Sequence, residues 1–69
     1  MNLGDTLIKA LLEHDADTIG RIAEYLRFGK VQRNYQESYE FICRICRKRG
    51  VFPPDLPLWD ALLRESEGG

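Results

Sequence analysis

Asn34-Tyr35-Gln36-Glu37-Ser38-Tyr39-Glu40-Phe41-Ile42-Cys43-Arg44-Ile45-Cys46-Arg47-Lys48-Arg49-Gly50-Val51 is the stretch that decides the fold. Tyr35, Tyr39, Ile42 and Cys46 recur at helical spacing along one stripe, with Ile45 at its edge. Asn34 and Glu37 stand three residues apart, as an N-cap and its reciprocal partner do. At the other end Gly50 suits the left-handed residue that closes a helix. Val51 follows as the apolar residue that folds back on Cys46, and Arg44, Arg47, Lys48 and Arg49 crowd the negative pole of the helix dipole. The outer face of this third helix carries Glu37, Glu40, Arg44, Arg47 and Lys48, where Glu40 and Arg44 have the spacing of an intrahelical ion pair.

Toward the N-terminus, Leu7, Ile8, Leu11 and Leu12, with Leu3 and Ala10 beside them, predict a first helix from residue 3 or 5 to 13. Their arc is broad, as for a helix buried against more than one neighbour. His14 closes it favourably toward the dipole. Asp15, Asp17 and Thr18 offer caps for a second helix over residues 16–28, with Ile19, Ile22, Ala23 and Leu26 inward and Gly29 as its stop. Residues 29–33 read as a connection.

Toward the C-terminus, Phe52-Pro53-Pro54-Asp55-Leu56-Pro57 reads as a stiff, Pro-rich strap, because proline neither donates a backbone hydrogen bond nor lets its predecessor turn helical. It is expected to lay Phe52 and Trp59 across the groove of the first three helices. Leu58, Trp59, Leu62 and Leu63 predict a short fourth helix. Glu65 and Glu67 sit at the unfavourable pole, so residues 65–69 are expected to fray. No segment alternates with period two. The fold class is all-α: a small bundle of about four helices, three main ones plus the strap and the short C-terminal helix, in a single domain over residues 1–69.

The chain has 69 residues, 10 basic and 11 acidic. Burial of about 4,000 Å² of apolar surface is worth on the order of 100 kcal/mol, and ordering the chain costs about the same, so a partner or a second copy is expected to help. No apolar run is long enough to span a bilayer, the first residues lack a secretory pattern, and two cysteines are too few for a secreted framework. The expected location is cytoplasmic, with no membrane partner.

Charge is segregated. Residues 21–49 carry eight basic and three acidic side chains, whereas residues 1–20 and 50–69 each carry one basic and four acidic. Cys43-Arg44-Ile45-Cys46 has half the ligands of a zinc site and lies at the wrong end of a helix for a thioredoxin-like pair, so packing is the expected role and no metal or cofactor is expected. His14 beside Asp15 and Asp17 lacks any nucleophile at a recognisable spacing. No phosphate-binding glycine loop or nucleophile elbow occurs, so enzymatic chemistry is not expected.

Two functional readings follow. In the first, the chain is a small regulatory or adaptor protein that binds an acidic protein surface through Phe41, Arg44, Arg47 and Lys48. It would self-associate as a homodimer along the third helix, with Phe28 a further aromatic off its helix's apolar stripe. In the alternative, the second and third helices form a helix-turn-helix whose Arg33, Asn34, Gln36 and Ser38 read DNA bases. Against the alternative stand the long connection at residues 29–33 and the basic cluster at the far end of the third helix, roughly 15 to 20 Å away at 1.5 Å per residue.

Overall fold

A computed structural model describes residues 2–68 and contains four helices, α1 (Leu3–Glu13), α2 (Ala16–Phe28), α3 (Tyr35–Lys48) and α4 (Leu56–Gly68), with no strand among the described residues. Each start has a local cause. Asn2 accepts from the Gly4 amide at 2.9 Å, and Asp15 accepts from the Thr18 amide at 3.2 Å and the Thr18 hydroxyl at 2.6 Å. At α3 the reciprocal box forms as expected: the Glu37 amide donates to Asn34 at 2.8 Å and the Asn34 amide to Glu37 at 3.1 Å. Asp55 accepts from the Leu58 amide at 2.8 Å and caps α4.

The ends of α1 and α3 share one motif. Gly50 has φ 68°, its amide donates to the Arg47 carbonyl at 3.2 Å, and the Val51 amide donates to the Cys46 carbonyl at 2.9 Å. At α1 the left-handed position is filled by His14, φ 53°, with the Asp15 amide reaching the Ala10 carbonyl at 2.8 Å. A side chain in that conformation costs about 1 kcal/mol that glycine does not. Gly29 ends α2 differently from expectation. Its φ of −83° is not left-handed; a Cβ there would stand 2.3 Å from the Tyr25 carbonyl oxygen.

One core joins the four helices: Leu7 and Ala10 from α1, Ile19, Ile22, Ala23 and Leu26 from α2, Ile42 and Cys46 from α3, Trp59 and Leu62 from α4. The most extensive helix contact is between α2 and α4. A Cβ on Gly20 would stand 1.9 Å from Ser66 Oγ and 2.7 Å from Ser66 Cβ, so only glycine admits α4 at this depth. That packing overturns two expectations. Helix α4 runs from residue 56 to 68 rather than fraying at 65, because Leu62 and Ser66 dock on α2 and outweigh the unfavourable charge of Glu65 and Glu67; Gly69 lies outside the described residues. Pro57 also lies inside the first turn of α4, where its missing N–H has no partner to lose.

Trp59 is fully buried, as expected, although its indole N–H finds no partner among the described residues. Phe52, by contrast, is 94% exposed and does not cover the groove. Leu12, assigned to the apolar face of the first helix, is 73% exposed because α1 packs on α2 and α3 through its Leu7 and Ala10 side. Arg49 clasps the far ends together, pairing with Asp5, donating to Asn2 at 3.2 Å and lying where a Cβ on Gly4 would stand.

Two outcomes check this account by urea unfolding followed through Trp59 fluorescence. Gly20→Ala gains about 1 kcal/mol of helix propensity but pays for a clash of about 2 to 3 kcal/mol, so it destabilises, and Ser66→Gly in the same chain recovers most of the loss. His14→Gly raises stability by up to about 1 kcal/mol.

Candidate functional site

The surface of greatest chemical interest forms where residues 51–55, which join α3 to α4, lie against α3. Tyr39 donates its hydroxyl to the Pro54 carbonyl at 2.9 Å and so fastens this connection, while Pro54 itself is buried. Tyr35, one turn earlier, donates to Asp60 Oδ1 at 3.2 Å and fastens α4. Two inward tyrosines of the α3 stripe thus hold the whole C-terminal third against the helix. Burial is the first cause that raises both phenols above the ordinary tyrosine range; the Asp60 charge adds to it at Tyr35, and the Cys43 side chain adds to it at Tyr39.

Phe52 stands between two grooves. On the α3 side an open groove of about 600 Å³ is lined by Tyr39, Glu40, Cys43, Arg44, Arg47, the Phe52-Pro53-Pro54 run and Asp55. On the other side a more apolar groove of about 330 Å³ runs between α1 and α4, where Leu12 and Leu58 are exposed beside Leu11, Val51 and Leu62. Phe52 rims both. The result is an aromatic knob with a trough of mixed charge on one flank, where Arg44 and Arg47 stand beside Glu40 and Asp55, and an aliphatic one on the other.

The residues singled out from sequence fare unequally. Arg44 and Arg47 line the larger groove, and Lys48 is exposed beyond it. Phe41 is not a free anchor: it is half-buried, packs against the core and lies under two cations, with Arg33 Cζ 4.3 Å and Arg44 Cζ 5.8 Å from its ring centroid. Phe28 is exposed, with Arg27 Cζ 5.2 Å from its ring. Tyr25 and Val31, three positions to either side of it in sequence, are likewise exposed.

The helix-turn-helix set is largely occupied. Ser38 is buried, 2% exposed, and donates its hydroxyl to the Asn34 carbonyl at 2.9 Å, which withdraws it from any base edge. Asn34 is held in the capping box, and Arg33 is stacked on Phe41 with its amide on the Leu26 carbonyl at 3.0 Å. Gln36 is exposed and donates to Glu40 at 3.3 Å.

Cys43 and Cys46 are free and buried, and burial pushes the Cys46 thiol up, away from thiolate character. Among the described residues no group of three His, Cys, Asp or Glu stands close enough to hold a metal ion. No helix there is long and apolar enough to cross a membrane. The ion pairs among the described residues are Arg49 with Asp5 and Arg64 with Asp60. The spacing that could pair Glu40 with Arg44 is therefore unused, and Arg44, Arg47 and Lys48 take part in neither ion pair among the described residues.

Sequence reading missed Phe52, Leu12 and Leu58. For Phe52 a signal existed: Val51 must turn inward to complete the helix end at Gly50, and in a non-helical run the next side chain points the opposite way. In comparisons with protein-family models, with curated proteins and with solved structures, nothing matches this chain.

The tyrosine fastenings make a pH prediction. Phenols raised in the folded state favour the protonated form there, so their stabilisation is complete below the ordinary tyrosine pKa of about 10 and is lost as pH rises through the raised values. Urea midpoints measured between about pH 8 and 11 fall at the alkaline end, and the Tyr35→Phe, Tyr39→Phe double variant flattens that fall while costing about 1 kcal/mol per lost hydrogen bond near neutrality.

Proposed function

We propose that this protein is a non-enzymatic regulatory or adaptor module that captures another protein on the face around Phe52. The exposure of Phe52 carries the reading: monomeric domains rarely hold a large aromatic out beside further bare leucines unless something covers it. In this reading Pro53 and Pro54 stiffen the connection into a strap, so that Phe52 is presented with little entropy left to lose on binding. Burying the ring in a partner's pocket is worth about 1.5 to 3 kcal/mol. Arg44 and Arg47 meet carboxylates at the rim, each worth up to about 1 kcal/mol and mainly setting orientation and approach rate.

The partner's matching surface sets carboxylates opposite Arg44 and Arg47, beside an apolar pocket for Phe52. Catalysis finds no support: burial holds the Cys46 thiol away from thiolate character, and His14 is an exposed helix end. Two unpaired cysteines suit a reducing, cytoplasmic setting. DNA reading is disfavoured because Ser38, Asn34 and Arg33 already have partners within the chain.

Capture from a native extract, quantified with the tagged wild type and variants, tests the proposal. Phe52→Ser lowers capture of the principal partner about tenfold or more, Arg44→Glu lowers it and makes it less salt-sensitive, and Phe28→Ser leaves it unchanged. Equal capture by wild type and Phe52→Ser overturns the reading. So does sequence-selective DNA binding in mobility-shift assays that is lost on Gln36→Ala.

A further inference from the structure

The outer face of α3 is divided by charge along its length. Gln36, Glu37 and Glu40 occupy the N-terminal half and Arg44, Arg47 and Lys48 the C-terminal half, all exposed. At 100° per residue Glu37, Glu40, Arg44, Arg47 and Lys48 fall within an arc of about 100°, directly opposite the stripe of Tyr35, Ile42 and Cys46 that enters the core. The spacing of three, four and three residues is that of a seam between two packed helices. No described residue covers this seam, whose members are all exposed, and its three cations take part in neither ion pair among the described residues.

A segregated stripe of this kind has one complement already at hand, its own copy reversed. We propose that the acidic surface recognised by this face is supplied by a second copy of the chain, the two α3 helices packing antiparallel about a twofold axis at the level of Ile42. That register sets Glu40 of one copy against Arg44 of the other and Glu37 against Arg47, each contact occurring twice. A parallel pair sets like against like along the whole stripe. A purely acidic partner satisfies the arginines but opposes Glu37 and Glu40, so the second copy accounts for both halves of the pattern.

The seam runs between two aromatic rings, one covered by cations and one bare. Phe41 lies along one edge under Arg33 and Arg44, and Phe52 along the other beside the groove that Arg44 and Arg47 line. A 14-residue helix offers about 21 Å of seam, which with the two aromatic flanks makes a contact at the small end of specific interfaces, and micromolar pairing is the expected strength. The inference rests on reading this side of the molecule as a protein-contact face.

Sedimentation equilibrium on the full chain from about 1 to 300 µM tests it, with folding checked by Trp59 fluorescence. The expected result is a monomer–dimer equilibrium in the wild type. Glu40→Arg and Arg44→Glu, each alone, create two like-charged contacts per dimer and weaken pairing about tenfold or more. Mixed in equal amounts, the two variants restore both contacts and form a one-to-one heterodimer, read by native mass spectrometry. A wild type that stays monomeric to 300 µM, pairing indifferent to both reversals, or a mixture that fails to pair each overturns the antiparallel α3 dimer. Monomeric wild type together with Phe52-dependent capture of another protein removes this inference and leaves the binding module. A charge-sensitive dimer with Phe52-independent capture does the reverse.

Discussion

Everything in this small bundle depends on how closely α4 lies along α2. The depth of that approach is set by an absence, the missing side chain at Gly20, into whose space Ser66 projects. With α4 seated there, Trp59 reaches the centre of the core and Leu62 closes it against α2, while Asp60 comes within reach of the Tyr35 hydroxyl. The burial of the indole N–H without a partner, a cost of about 1 to 3 kcal/mol, is tolerated because the same ring supplies the largest fully buried apolar body in the chain.

The exposed face around Phe52 is a by-product of the same geometry. Once α3 ends at Gly50 and α4 starts at the Asp55 cap, the connection must cross a short span, and Tyr39 holds it at Pro54. Val51 and Pro54 take the inward sites and Phe52 is left outside with its neighbouring leucines. Arg49, the last of four clustered cations, turns back to Asp5 and Asn2 and is used in holding α1 to α3. The three that remain, Arg44, Arg47 and Lys48, face solvent together.

What could be read from sequence was what is decided within a few residues. The box of Asn34 and Glu37, the cap at Asp15 and the closure at Gly50 all involve partners no more than five positions apart, and each forms. What could not be read was decided at long range. The dipole argument against residues 65–69 was sound locally and lost to a contact between residues 20 and 66, forty-six positions apart. Phe41 and Phe52 exchanged their expected roles for the same reason: Arg33, arriving from the α2–α3 connection, covers one ring, and no element reaches the other. Ser38 looked available on a polar tally of α3, yet its position relative to Tyr35 and Ile42 set it on the buried side.

The seating of α4 on α2 also governs how the chain can be made. A nascent chain presents α1, α2 and α3 first, yet the centre of their core belongs to Trp59 and Leu62. Until the last turns of α4 emerge and Ser66 can meet Gly20, the ribosome-bound intermediate keeps Leu7, Ile19, Leu26 and Ile42 open to water and to other chains. A chain whose synthesis stalls before α4 thus leaves a species for chaperones and proteases rather than a folded bundle.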